Sequence, residues 1–231
     1  MNTAARIVTL ALFALCIPGQ ATAEVSAILK AHFKAVGGLD KLSDLRTVKR
    51  AGSVRLSGNF GAFDGTTETA IVVGKKVYTH SDFGVGVETT GYNGETGWKA
   101  SADGVVDLSG DDLRFARAGI FLDPLQEIYE QFGASAFTES GARTIDGKEC
   151  VLLDVVGAPL VFAIDKESHH VVELMVESVL AIHFGDYAEY GGVMLANTTT
   201  VYIQSLAISI DITYKKTDVD VELDEAKFEK P

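Results

Sequence analysis

A sustained two-residue alternation of apolar and polar side chains is the feature that most constrains this chain. Leu206, Ile208, Ile210, Ile212 and Tyr214 share one parity, against Ser209, Asp211 and Thr213. Leu180, Ile182 and Phe184 repeat the pattern, as do Val172, Leu174 and Val176 against Glu173, Met175 and Glu177. Successive strand residues point to opposite faces, so the alternation predicts an antiparallel sheet with one apolar face and one wet face. Thr47 to Ser57 alternates too, with Val48, Val54 and Leu56 against Lys49, Ser53, Arg55 and Ser57. Thr67 to Val73, Val77 to Phe83 and Val85 to Tyr92 continue it, separated by Gly-rich turns, which reads as a run of hairpins.

The period changes to 3.6 in a few short places. Val25, Ile28, Leu29, His32, Phe33 and Val36 stand at helical spacing, and Gly37-Gly38 ends that helix. Asp40 reads as the cap of a short turn through Leu45. Between Gly110 and Gly133, Asp111 opens one helical stretch; Asp123-Pro124 opens another as N-cap and first helical residue, with Leu125, Ile128, Tyr129 and Phe132 on one apolar face. Three short helices are few to plug a sheet of ten or more strands. The expected fold is therefore mainly β (α+β): a curved antiparallel sheet forming a half-closed β-barrel, covered by short helices over an apolar cavity.

The N-terminal stretch reads as a secretory signal peptide over residues 1–23. Arg6 precedes an apolar run from Ile7 to Ile17, a Pro18-Gly19 break follows, and Ala21-Thr22-Ala23 supplies a small-residue cleavage site before Glu24. That run is too short to cross a bilayer, which takes about twenty residues. A lipoprotein signal ending at Cys16 is the rival reading, but the bulky Leu15 stands where lipidation wants a small residue. With Cys16 removed, Cys150 is left without an intramolecular disulfide partner, so core packing must stabilise residues 24–231, read as one domain. No later stretch is long and apolar enough to span a membrane. A formal charge of −12 argues against nucleic acid as a partner.

Candidate catalytic groups are sparse. His169 and His170 sit in a polar turn leading into an alternating strand, where neighbours point to opposite faces, so they read as turn residues and not a metal pair. His183 falls on the wet parity, and His32 and His80 are isolated. Gly-x-Ser-x-Gly does not occur, and Cys150 at a strand entrance reads as a buried structural thiol. The glycines from Gly84 to Gly97 lack the lysine and following helix of a phosphate loop and read as tight turns. An opposed carboxylate pair of the kind glycoside hydrolysis needs stays open at this stage. The expectation is a binder: no enzyme, no cofactor and no metal.

Tyr92-Asn93-Gly94-Glu95-Thr96-Gly97-Trp98 resembles the Asn-Gly-x-x-x-Trp hairpin of the periplasmic outer-membrane lipoprotein-sorting proteins, the family around LolA. Leu160 to Asp165, the Lys166 to His169 turn and Val171 to Val176 resemble the family's strand pair around an Asp-Lys-x-Ser/Thr turn. Phe184-Gly185-Asp186-Tyr187 with Gly192-Val193 is similar to its Asp-Tyr and Gly-Val segment, and Val219 to Pro231 to its closing segment. Ala196 departs from the proline that many relatives carry, and Lys76 stands near where the lipoprotein carrier has a lid-holding arginine.

The resemblance implies a half-barrel with a helical lid that holds acyl chains. The expected ligand is a lipid, a lipoprotein acyl chain or another hydrophobic small molecule; an envelope protein is the alternative partner, with a packed interior. The nominated cavity wall is Val54, Leu56, Ile71, Val73, Leu174, Val176, Ile182 and Phe184, with Trp98 at its rim. The nominated lid is Leu113, Phe115, Phe121, Leu125, Ile128 and Phe132. The expected location is the periplasm.

Overall fold

In the computed structural model, which describes residues 22–177 and 179–231, the alternation becomes thirteen antiparallel strands in one open sheet. The expected signal peptide therefore lies almost wholly outside the described residues. Two helices come first, α1 (Ala23–Ala35) and α2 (Leu39–Asp44). Six strands follow: β1 (Thr47–Gly58), β2 (Gly61–Val72), β3 (Lys76–Asp82), β4 (Val87–Tyr92), β5 (Gly97–Ser101) and β6 (Gly104–Asp107). After α3 (Gly110–Ala118) and α4 (Gln126–Phe132) come β7 (Phe137–Ile145), β8 (Lys148–Val155), β9 (Leu160–Asp165) and β10 (Val171–Val176). The chain ends with β11 (Leu180–Tyr190), β12 (Val193–Ile203) and β13 (Ile208–Val219).

Sheet order runs β6-β5-β4-β3-β2-β1-β13-β12-β11-β10-β9-β8-β7, so β13 returns to pair with β1 and joins two meanders. The sheet is curved and does not close. Strong bending needs close approaches at a few points. At Gly52, where the β1–β13 register shifts, a Cβ would collide with the Thr213 carbonyl, and at Gly65 with that of Asp82. Glycine is the residue that lets strands coil this tightly.

The helices lie on the inner face. Val25, Leu29 and Phe33 of α1, with Val36 at its C-cap, enter the same core as Phe137, Leu153, Phe162 and Ile164. The Phe33 and Tyr129 rings, 4.7 Å between centroids, join α1 to α4. α3 packs over β3, β4 and β5. Each large side chain buried this way stabilises the fold by about 1.5–3 kcal/mol.

Several expectations are corrected in detail. Gly38, not Asp40, precedes α2, and Asp40 sits in its first turn. α4 begins at Gln126, two residues beyond Pro124, because Asp123 Oδ1 accepts from Leu125 N at 2.9 Å and holds a turn there. Leu206 lies in a 3-10 turn, 59% exposed, and does not extend the inner face of β13. On β10 a register shift between Val171 and Glu173 puts Val171 in the main core, while Val172 joins a small cluster with Ile145, Cys150 and Ala163. His183 is not simply solvated: its Nε2 lies 3.2 Å from the buried Glu173 carboxylate, which also takes Arg143.

Candidate functional site

Register places one row of apolar side chains across the inner face: Leu56, Ile210, Val201, Ile182, Leu174 and Phe162, each opposite the next on adjacent strands. Only the last member of this row is buried. Phe162 is sealed beneath the helices, whereas Leu56, Ile210, Val201, Ile182 and Leu174 are only half-buried. The inner face thus has two parts, one capped by helices and one forming an open apolar trough.

The nominated wall residues divide between these parts. Ile71 and Val73 pack in the helix-covered core. Leu174 and Phe184 stand at the boundary, partly buried against that core. Leu56, Val176 and Ile182 are half-buried in the trough, beside the buried Val54. Trp98 belongs elsewhere. It pairs with Gly91, and the row continues through Tyr78 and Ala70 to Lys49, the parity opposite Val48. There Trp98 is sealed on the outer face by the C-terminal segment, its Nε1–H donating to the Phe228 carbonyl at 3.0 Å. Lys76 serves the same segment, with Nζ 2.7 Å from Glu225 Oε2, and not a lid.

Of the nominated lid residues, Leu125 is fully buried and Leu113, Phe121 and Ile128 pack against the core. Phe115 and Phe132 are corrected: they are 51% and 45% exposed and do not close over the trough.

Two polar groups to which the sequence analysis gave no role, Arg50 and His32, tie distant parts of the inner face together. Arg50 shares the inner parity of Val48 and Val54. Its guanidinium donates to the Ala196 carbonyl at 2.7 Å, to Asn197 Oδ1 at 3.1 Å and to Thr217 Oγ1 at 3.2 Å, and lies 3.7 Å over the Tyr214 ring. Burial lowers its pKa, with Tyr214 and Tyr190 opposing. A small void of about 80 Å³ lies between Arg50, Phe184, Tyr187 and the Leu122-Asp123-Pro124 segment. A larger space of about 230 Å³ opens on the outer face among Lys49, Glu68 and Lys227, and its charged lining does not suit an apolar ligand.

His32 is the second group, and it is not isolated. It is fully buried, with Nδ1 2.8 Å from the His169 carbonyl and Nε2 3.1 Å from Asp123 Oδ2. Both ring nitrogens face acceptors, an arrangement that the doubly protonated ring satisfies. Burial pulls its pKa down, but the Asp123 charge and hydrogen bond and the His169 carbonyl together hold it above 6.5. Next to it, burial lowers the pKa of His170, whose ring stacks on Tyr187 at 4.2 Å. The Tyr187 hydroxyl donates to the Val171 carbonyl at 2.8 Å, and burial, with the Asp123 charge, pushes its pKa up. Tyr187 and the His169-His170 turn are thus linked to each other and, through His32, to Asp123. Among the described residues there is no cluster of metal-ligating side chains, and no helix is long and apolar enough to cross a membrane.

No family profile matches the chain, and no curated protein sequence does. Solved structures do match. A LolA superfamily protein from Nitrosomonas europaea superposes with a TM-score of 0.58 at 8% identity, covering 87% of this chain and 97% of that one. A domain assigned to outer-membrane lipoprotein sorting, from Vibrio parahaemolyticus, gives 0.56 at 11% identity, covering 87% and 94%. A DUF1329 family protein from Desulfovibrio piger gives 0.56 at 16% identity, covering 87% and 96%. At these identities the likeness is one of fold: the chain has a LolA-like fold.

Proposed function

We propose that this protein binds a lipid, a lipoprotein acyl chain or another hydrophobic ligand in the open trough and carries it in the periplasm, without covalent chemistry. The observation that carries this reading is the half-buried row from Leu56 to Leu174, an apolar strip that the helices leave uncovered. Covering it removes apolar surface from water at about 25 cal/mol per Å². Set against the cost of association, that supports affinity in roughly the micromolar range. The lipoprotein-sorting assignment of one structural neighbour agrees with it.

The trough reading is tested by titrating the protein with an environment-sensitive fluorescent fatty acid. Saturable binding is expected, with loss in Ile182→Asp and Leu56→Asp variants that keep their thermal midpoint within a few degrees. Absence of binding by the unaltered protein would contradict the reading.

A second reading, an envelope interaction module with a packed interior, is favoured by one observation. The void under the lid segment, about 80 Å³, is well below the ~300–1,000 Å³ of ligand pockets. Failure of the fatty-acid titration, with a protein partner recovered instead, would select it.

Export places residues 24–231 in the envelope as a single LolA-like domain. N-terminal sequencing of the mature protein should begin at Glu24; an intact Met1 or a lipid on Cys16 would contradict this. Cleavage there removes Thr22, whose hydroxyl accepts from Val25 N at 3.2 Å, at a cost of about 0.5–2 kcal/mol to the start of α1.

A further inference from the structure

Six hairpin turns gather at one end of the sheet, those joining β1 to β2, β3 to β4, β5 to β6, β8 to β9, β10 to β11 and β12 to β13. The register confirms the shared end: Gly58 pairs with Gly61 and Ser57 with Ser209, while Ile203 and Val176 both face Leu180. This end carries the exposed apolar side chains Phe60 (52%), Val85 (67%), Val156 (44%), Val179 (45%) and Leu206 (59%), one on each of five turns. Away from this end, its adjoining strand ends and β6, the exposed large apolar side chains among the described residues are Phe115 and Phe132 of the helical end. Solvated turns ordinarily carry polar residues, and singly exposed apolar groups scatter at random. Here they are sorted to one end.

Charge is sorted as well. The turn residues 59–60, 83–86, 102–103, 156–159, 177–179 and 204–207 include two charged residues, Asp103 and Glu177, and no lysine or arginine. The opposite end has Lys75, Glu95, Asp146, Lys166 and Glu167 in its turns.

We propose that this rim is a docking surface for a zwitterionic lipid bilayer, with the turn tips entering its interfacial layer. Geometry selects a fluid apolar phase over a folded protein. Tips on successive hairpins stand about 10 Å apart, two strand spacings, along an arc, each with apolar neighbours only from its own hairpin where it has them, as Phe60 has Phe63 at 5.9 Å. A folded partner buries a contiguous and complementary patch, whereas a lipid interface accepts separate apolar points. Charge selects the lipid: without a cation on the rim, and with a formal charge of −12, an anionic surface repels the protein. The half-buried inner residues Ile203, Ile208 and Leu180 reach the same rim. Docking would therefore place the trough mouth against the bilayer. The rim itself stands independently of what the trough holds.

The test is flotation of ligand-free mature protein with phosphatidylcholine vesicles, alone or mixed with phosphatidylglycerol. The protein should float with pure phosphatidylcholine, undiminished at about 0.5 M salt, where surface charge is screened, and less with the anionic mixture. Phe60→Ser, Val85→Ser and Leu206→Ser should each lower partitioning by roughly threefold to tenfold, and the triple variant by about a hundredfold. All three sites are exposed, and an unchanged thermal midpoint confirms that the triple variant is folded. Failure of the unaltered protein to float overturns the proposal, as does equal flotation of the triple variant or binding confined to anionic vesicles at low salt. Self-association in sedimentation velocity that the triple variant abolishes, without flotation, would instead make the rim a protein interface. Fatty-acid binding is read separately, so either result can fail alone.

Discussion

His32 on α1 and Asp123 at the approach to α4 form a buried ion pair, Nε2 to Oδ2 3.1 Å, that ties the first helix to the segment facing the trough. The opposite ring nitrogen meets the His169 carbonyl at 2.8 Å, so the same ring also grips the turn between β9 and β10. Three parts of the chain distant in sequence meet at one imidazole ring.

That arrangement fixes the sign of a pH effect. The folded pKa of His32 lies above the 6.5 of an unperturbed histidine, so the folded state holds its proton more tightly. Its stabilisation is complete below about pH 6.5 and is lost as pH rises through the folded value. His170 has the opposite slope: with a lowered pKa it penalises the folded state as pH falls below 6.5. Proton NMR should assign to His32 a titration above 6.5 and to His170 one below it. A His32 signal titrating below 6.5 would contradict the ion pair.

Breaking the pair should loosen the lid selectively. Asp123→Ala leaves His32 buried without its counter-ion and frees Leu125 N, so a loss of about 3–5 kcal/mol is expected. Hydrogen exchange should accelerate most between 119 and 132, while β8 and β9 change only in step with global stability. In the unaltered protein, exchange from 110 to 133 should be fast without ligand and slow with it. Equal, strong protection in both states would mean that the helices only plug a core.

Trp98 should separate stability from binding. Trp98→Phe removes the donor to the buried Phe228 carbonyl and should cost about 1–3 kcal/mol. Because the ring lies outside the trough, fatty-acid affinity should stay within about twofold of the unaltered protein. A large loss of affinity in folded Trp98→Phe would return the residue to the ligand rim.

How far the sequence could be read follows from physical range. Parity is local, so the open sheet and the inner assignment of Val54, Leu56 and Ile182 were legible from alternation. Val172 was misplaced because one register shift on β10 moves the core position to Val171. Trp98 was misplaced because its face depends on the register through β2, β3 and β4 back to β1, which no single hairpin reveals. Arg50 did leave a signal, a cation on the apolar parity of Val48 and Val54. His32 left a similar one, a polar ring on the apolar face of Val25, Leu29 and Phe33, but its pairing with Asp123 left none, since 91 residues separate them and only the folded packing of α1 brings them together.

A lipid held by the uncovered row from Leu56 to Leu174, as proposed, would travel with the protein. Native mass spectrometry of protein purified from the envelope without detergent measures this directly. A mature chain carrying the added mass of one extractable lipid is expected, and a bare chain for folded Ile182→Asp. An unaltered protein that emerges bare, and stays bare after incubation with added phospholipid, would contradict it.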